Sequence, residues 1–225
     1  MGSRIILYAA MALLMSVAII ELSFISYMVA WLHGAASGTF SFNFDGSTYD
    51  IKGEPKNFIV DQGHTSNGAA GTAFVLVGTG GFITLWLNSG PNPKKISKLL
   101  YQSWLVVNVL SLLLVLTALI YTFVVTNNHN GQHIDARYAA QLDGRSKYDR
   151  DSWTPQNWFP ALLKLDLADP DERSDIQHHV RIIRGWQYNL IPFFIIHLAE
   201  TAIALWDAKQ HQPTKFSPVQ QKSDV

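Results

Sequence analysis

Four long apolar segments, separated by polar ones, dominate the pattern of this chain. They cover residues 5–32, 69–87, 99–125 and 186–206. A helix needs about 20 mainly apolar residues to cross a bilayer. Each segment also has a tryptophan at or near one of its ends, where interfacial aromatic residues are common. The pattern therefore predicts an all-α membrane fold, built on a bundle of four transmembrane helices.

The first long connecting segment, residues 33–68, has the alternating pattern of a β-hairpin. Residues 39–44 and 47–52 alternate in polarity, and Asp45-Gly46 between them is a favoured two-residue turn. An isolated hairpin is only marginally stable in water, so we expect it to pack on the second long connecting segment or on a neighbouring subunit. Its apolar side chains are Phe40, Phe42, Phe44, Tyr49 and Ile51.

The second long connecting segment, residues 126–185, predicts a small helical cap. One helix is predicted to begin at Pro155 and another at Pro170, because each proline follows a residue that commonly caps a helix. Gly185 predicts the end of the second helix, which leads into the fourth span. Structureless connections of this length are uncommon in compact domains, so we expect a folded unit here.

A glycine-rich stretch, Gly78-Thr79-Gly80-Gly81, lies within the second span. It lacks the preceding strand and the following Gly-Lys-Ser/Thr of a phosphate-binding loop. Together with Gly71 it predicts a close contact between helices or a local kink.

The composition agrees with a membrane protein and excludes several other classes. Charged residues make up 15 % of the chain, below the roughly 25 % usual for soluble domains. The 17 basic and 17 acidic residues cancel, which argues against a nucleic-acid partner. The chain has no cysteine, which excludes a disulfide framework, an iron–sulfur site and a thiol nucleophile.

Basic residues predict the orientation of the spans. Lys94 and Lys95 lie between the second and third spans without a nearby acidic residue, and Arg4 precedes the first span. Cytoplasmic loops are enriched in Lys and Arg, so we expect both termini in the cytoplasm and the two long connecting segments outside the plasma membrane. Residues 1–208 then form one membrane domain, and residues 209–225, which lack any apolar period, predict a disordered cytoplasmic tail.

Ionisable residues inside the spans are the main candidates for chemistry. Glu21 lies in the first span, and His197 and Glu200 share one face of the fourth, three residues apart. Asn108 adds a polar group on the third span. Such groups are costly in a bilayer unless they have partners, so we predict a single intramembrane cluster. It could fix helix packing, form a proton or cation path, or bind a metal.

The predicted layout resembles that of known four-span (tetraspan) families. Four spans, a hairpin in the first outward segment and a capped second one resemble claudin-like and MARVEL-like proteins and the fungal Sur7/PalI group. Claudin-like proteins carry a Trp and two cysteines in the first outward segment, and this chain has no cysteine, so no functional residue is carried over. Its sequence Trp-Thr-Pro-Gln-Asn-Trp, residues 153–158, is similar to segments of four-span proteins of filamentous fungi.

These patterns predict a non-enzymatic integral membrane protein that scaffolds the plasma membrane. We expect it to form homo-oligomers and to make outward contacts, including contacts with the cell wall. We expect no cofactor. The alternative is a proton or cation transporter or channel subunit that uses the intramembrane cluster. An intramembrane enzyme ranks third, because the sequence has no Ser-His-Asp, HExxH or kinase motif. The predicted outward interaction surface consists of Phe40, Phe42, Phe44, Tyr49, Ile51, Trp153 and Trp158.

Overall fold

A computed structural model shows a bundle of four long helices with a small mixed cap at one end. The structure describes residues 2–90 and 94–210. The four long helices are long and apolar enough to cross a membrane, which confirms the predicted spans and indicates an integral membrane protein. In chain order the elements are α1 (Gly2–His33), β1 (Thr39–Phe44), β2 (Ser47–Lys52), α2 (Asp61–Leu87), α3 (Lys95–Asn128), α4 (Ala136–Leu142), α5 (Pro155–Leu162), β3 (Asp166–Leu167) and α6 (Pro170–Gln210).

The spacing of buried residues explains how the long helices pack. Buried positions recur alternately four and three residues apart, the heptad spacing of helices that pack nearly side by side. The row on α1 contains one polar residue among apolar ones and the row on α3 contains four, so polar side chains also face the bundle interior. On α3 the row is Ser97, Tyr101, Trp104, Asn108, Ser111, Val115, Ala118 and Thr122. On α1 it is Leu7, Met11, Leu14, Ala18, Glu21, Ile25 and Met28.

The second long helix begins earlier than its apolar segment. It starts at Asp61, ahead of the predicted residue 69. Its polar first turns are nevertheless packed, because Gln62 and Ser66 are fully buried and the hydroxyl groups of Ser66 and Thr122 lie 3.5 Å apart. Hydropathy marked the part of α2 that suits a bilayer, and the helix continues into the cap.

Two glycines of α2 allow α1 and α3 to approach closely. A Cβ at Gly78 would overlap the side chain of Met15, and one at Gly81 would lie 2.8 Å from Nε1 of Trp104. The Trp104 indole N–H also donates to the Val77 carbonyl at 2.9 Å. This carbonyl lies in a π-helical stretch, Ala73–Thr79, so the glycine-rich stretch contains a close helix contact and a local irregularity.

Replacing Gly81 by alanine is expected to destabilise the bundle by about 1–3 kcal/mol, the usual cost of overpacking a dense interior. Trp104 is rigid and hydrogen-bonded, so it has little freedom to move away. Gly80 provides the matched control, because the nearest atom to its Cβ would be the Val75 carbonyl oxygen at 3.6 Å. Thermal unfolding in detergent should show a loss for Gly81→Ala and none for Gly80→Ala. Equal effects would contradict this packing.

The cap contains a three-stranded antiparallel sheet with strand order β2-β1-β3. The predicted hairpin is confirmed, and Asp45 and Gly46 in its turn have φ angles of 49° and 78°, as a tight hairpin turn requires. The third strand comes from the second long connecting segment and pairs Leu167 with Phe42. The hairpin therefore packs on its own chain, the first of the two predicted arrangements.

A densely packed aromatic core fixes the cap to the bundle. Trp158 is fully buried, and its indole N–H donates to the Gly53 carbonyl at 2.6 Å. Trp31 of α1 packs against Phe159 with ring centroids 4.6 Å apart and donates to Asp175 of α6 at 2.7 Å. Cap and bundle thus share one hydrophobic core at this end of the molecule.

The last helix is continuous over 41 residues. It begins at Pro170 as predicted, but the predicted end at Gly185 is wrong. The helix continues there because the following turns bury Trp186 and Leu190 in the bundle, and a Cβ at Gly185 would make only an ordinary 3.4 Å contact with the Phe24 ring. Helix α6 also includes the first two residues of the predicted tail, and the remainder, residues 211–225, lies outside the described residues.

A charged cluster on the cap surface stabilises the short helix α4. Asp135 caps this helix by accepting the Tyr138 backbone N–H at 3.1 Å, and its other oxygen accepts from Arg150 at 2.6 Å. The Tyr138 N–H, and then the Arg150 guanidinium, hold the pKa of the Asp135 carboxyl below its ordinary value. The charged carboxylate is therefore favoured by folding.

This lowered pKa predicts acid sensitivity of the cap. The stabilisation from Asp135 is present above the unfolded-state pKa of about 3.9 and is lost as pH falls through the lower folded-state pKa. Asp135→Asn keeps a side chain that caps helices well but removes the titrating charge. Between about pH 5 and pH 3, the thermal midpoint of the wild type should fall further than that of the variant. Parallel curves would contradict the assignment.

Candidate functional site

The main polar contact inside the bundle joins α3 and α6. Asn108 and Glu200 are buried, and the Asn108 amide donates to both carboxyl oxygens of Glu200, at 2.9 and 2.8 Å. The remaining amide oxygen of Asn108 accepts from the Thr201 hydroxyl at 2.6 Å. The Glu200 carboxyl is thus held by an amide that is itself fixed by a third side chain.

His197 extends this arrangement by one helical turn. Its Nε2 lies 3.0 Å from Ser111 Oγ, and its Nδ1 lies 3.3 Å from Thr201 Oγ1. Nδ1 is also 3.7 Å from a Glu200 oxygen. All these side chains are buried, and each has a polar neighbour on the facing helix or on the next turn of its own helix. We name this set the seam network, and its members are Asn108, Ser111, His197, Glu200 and Thr201.

Glu21 does not belong to the seam network, which corrects the prediction of a single cluster. Its Oε2 accepts from Asn189 at 2.8 Å. Asn189 precedes His197 by eight residues, or about 12 Å along a helix. Helices α1 and α6 run antiparallel, with Trp31 beside Asp175 and Glu21 beside Asn189. Residues late in α1 therefore face residues early in α6, before His197. The structure therefore brings Glu200, His197 and Asn108 together and leaves Glu21 with Asn189.

This separation removes the ligand set proposed for a metal. The metal alternative required Glu21, His197 and Glu200 as ligands, yet only the last two are neighbours. In residues 2–90 and 94–210, no group of three or more His, Cys, Asp or Glu side chains is arranged to hold a metal ion. The packing interpretation keeps the seam network, and the transport interpretation is left with two separate polar sites, the seam network and the Glu21–Asn189 pair.

A second polar contact between α3 and α6 was missed by the sequence analysis. The Tyr101 hydroxyl donates to Asp207 at 3.2 Å, and Asp207 is fully buried. The predicted fourth span ended at residue 206, so this aspartate was placed outside it. Its position seven residues after Glu200 was the available signal, since that spacing puts both on one helix face.

The predicted outward interaction surface is largely interior, which corrects that prediction. Aromatic and aliphatic side chains of the hairpin form the underside of the sheet, where they cover the core shared by cap and bundle. Phe44 and Tyr49 are partly buried against the same core. Side chains that are at most 3 % exposed are Phe40, Phe42, Ile51, Trp153 and Trp158. They stabilise the cap and are not free to contact a partner.

No protein-family model, curated protein or solved structure matches this chain. The four long helices agree with a four-span layout. No match assigns the chain to the claudin-like, MARVEL-like or fungal groups that the layout resembles.

Proposed function

We propose that this protein is a non-enzymatic scaffold of the plasma membrane that acts through lateral self-association and contacts made by its cap. The seam network is the observation that carries the proposal. Buried polar side chains hydrogen-bonded across helices, such as Asn108 and Glu200, stabilise helix association in lipid. A carboxyl with both oxygens bonded to one fixed amide is suited to holding two helices in register.

The proposed orientation rests on where the basic residues lie relative to the cap. Lys94 precedes α3 and Lys95 is its first residue. They lie at the end of the bundle that also holds the start of α1 and the end of α6, as the contacts of Arg4 with Ser89 and of Tyr101 with Asp207 show. The cap covers the opposite end. The positive-inside rule then favours cytoplasmic termini and an outward cap, which would present a folded surface to the cell wall or to neighbouring proteins.

The outer faces of the helices support the proposed lateral contacts. Apolar side chains on these faces remain about half exposed, including Leu13 at 53 %, Leu110 at 59 % and Ile195 at 57 %. In a bilayer such faces contact lipid or a second copy of the chain. We therefore propose a homo-oligomer embedded in lipid.

Flux through reconstituted vesicles tests this proposal. Vesicles that contain the protein and carry a proton or potassium gradient should leak no faster than protein-free vesicles. Glu200→Gln should not change the leak, because glutamine preserves the shape of the side chain and the carboxyl has no transport role in a scaffold. A protein-dependent flux that Glu200→Gln or Glu21→Gln removes would overturn the proposal.

Proton or cation transport is the second candidate, and one observation favours it. Among the described residues, Oε1 of Glu21 makes no hydrogen bond of standard geometry, although the side chain is fully buried and the Trp186 indole N–H lies near the same carboxyl. Intramembrane carboxyl groups with spare hydrogen-bonding capacity are typical of proton pathways. Flux that depends on pH and disappears in Glu21→Gln would establish this function.

A further inference from the structure

One exposed stripe of α6 changes from polar to apolar along the helix. Its members recur alternately four and three residues apart, so they share one helix face, and all of them are exposed. The stripe has two arginines toward the cap, then a tyrosine, and then isoleucines. This order is typical of a helix that passes from lipid headgroups into hydrocarbon. In chain order the stripe is Gln177, Arg181, Arg184, Tyr188, Ile191 and Ile195.

Tyr188 sets the level of this stripe relative to the bilayer. Its ring packs edge-on against Phe123 of α3, with ring centroids 5.8 Å apart. The apolar segment of α3 ends at residue 125, two residues after Phe123. Arg184 precedes Tyr188 by about 6 Å toward the cap, and Arg181 lies about 4.5 Å farther in the same direction. Both arginines therefore stand at the level where the hydrocarbon ends and the lipid headgroups begin.

No carboxylate in the described part of the chain pairs with these two arginines. Positions three and four residues away from them on α6 are neutral or basic, and among the residues that the structure describes neither guanidinium takes part in an ion pair or a hydrogen bond. By contrast, Arg150 pairs with Asp135 at 2.6 Å and Arg173 donates to the Leu163 carbonyl at 3.0 Å. Like charges within one helical turn repel each other, so a bound anion would stabilise this face.

The phosphate of a lipid matches this face in charge, geometry and depth. Arginine binds phosphate oxygens through two parallel N–H donors, and a phosphate held by both arginines offsets their repulsion. The acyl chains of the same lipid can lie along Ile191 and Ile195, which are 40 % and 57 % exposed. A zwitterionic headgroup carries an ammonium group that offsets the charge of its phosphate, whereas an anionic headgroup does not. We propose that Arg181 and Arg184 bind the phosphate of an anionic phospholipid in the leaflet next to the cap.

Other anions fit fewer of these features. A soluble phosphate would use the arginines but not the apolar turns beyond Tyr188. This inference is independent of the scaffold proposal, because it uses neither the seam network nor self-association. It also holds for either orientation of the bundle, since it depends only on the leaflet next to the cap.

Native mass spectrometry of the full chain in mild detergent tests the proposal. The protein is titrated with phosphatidylglycerol, or with phosphatidylcholine of the same acyl chains, and the lipid-bound fraction gives the apparent affinity. Phosphatidylglycerol should bind more tightly, because its phosphate has no ammonium group beside it. Glycerol phosphate at the same concentration should not displace the lipid, because it lacks the chains that contact the apolar turns.

Two double variants separate this site from general charge attraction. Arg181→Gln with Arg184→Gln should weaken phosphatidylglycerol binding by roughly thirtyfold, since a basic residue near an anionic lipid surface is worth about fivefold. Arg137→Gln with Lys164→Gln is the matched control, because it removes two exposed positive charges of the cap that lie outside the stripe. The control should change binding by less than about twofold, because charges at a distance are screened. All four side chains are exposed, so both double variants should keep the thermal midpoint of the wild type.

The proposal is overturned if the two double variants bind phosphatidylglycerol alike, or if the wild type binds both lipids equally. It is also overturned if glycerol phosphate displaces the lipid, which would identify a soluble anion as the ligand. If Arg181→Gln with Arg184→Gln turns an oligomer into a monomer and leaves lipid binding unchanged, the arginines bind a second copy of the chain and the lipid proposal fails. Should this variant unfold, the wild-type comparison of the two lipids and glycerol phosphate decides the question.

Discussion

Replacing Trp158 by alanine is expected to destabilise the protein by about 3–5 kcal/mol, the range for large aromatic side chains removed from a packed core. This indole is fully buried between sheet and bundle, with Trp153 and Tyr148 centroids at 5.1 and 5.7 Å. The alanine variant leaves a large cavity and an unbonded Gly53 carbonyl. Denaturant or thermal unfolding in detergent, with limited proteolysis of the cap, measures the loss.

Two further tryptophan variants serve as controls. Trp158→Phe retains most of the buried ring and loses the hydrogen bond to Gly53, so a smaller loss of about 1–3 kcal/mol is expected. Trp86 is 72 % exposed at the end of α2, and Trp86→Ala should change the free energy of unfolding by less than about 1 kcal/mol. Equal losses in Trp158→Ala and Trp86→Ala would contradict the aromatic core described above.

Replacing Asn108 by leucine is expected to destabilise the bundle by about 1–3 kcal/mol, because it leaves the buried Glu200 carboxyl without its amide donor. Both carboxyl oxygens depend on this one amide. Unfolding in a graded detergent mixture, followed by near-ultraviolet circular dichroism, measures the change.

The double variant distinguishes a lost partner from lost packing. When both members of a buried polar pair become apolar and keep their shape, stability is nearly unchanged. Asn108→Leu combined with Glu200→Met should therefore recover most of the loss seen in Asn108→Leu alone. If the loss in the double variant equals the sum of the losses in Asn108→Leu and Glu200→Met, the amide–carboxyl contact does not stabilise the packing of α3 on α6.

Much of the fold could be predicted because it depends on local patterns. Hydropathy located all four spans, since apolar length is the requirement for crossing a bilayer. Alternation around Asp45-Gly46 gave both strands of the hairpin with their observed bounds. Pro155 marked the first residue of α5, where its missing N–H is harmless.

The features of the fold that could not be predicted depend on tertiary contacts between distant parts of the chain. Gln62 and Ser66 at the start of α2 are buried, one beside Gln156 of the cap and the other beside Thr122 of α3, and no local pattern records that packing. Gly185 indicates a helix end by propensity, and tertiary packing of the next turns overrides it.

In the candidate site, too, the features set by local spacing could be predicted and those set by tertiary packing could not. The face shared by His197 and Glu200 and their approach to Asn108 followed from spacing and depth. Glu21 was assigned to that cluster because it, His197 and Glu200 all lie near the middle of their apolar segments. The structure shows that the antiparallel packing of α1 and α6 puts Glu21 beside Asn189 instead. Aromatic residues such as Trp153 were expected in an outward interaction surface, whereas a small cap needs these large apolar rings for its core.

The mass of the protein in nanodiscs, measured over a range of protein concentrations, tests the scaffold account most directly. The monomer has a mass of 25.2 kDa. The account predicts a species of two or more copies that persists on dilution and is unchanged in Glu21→Gln. A strictly monomeric protein at every concentration would contradict it.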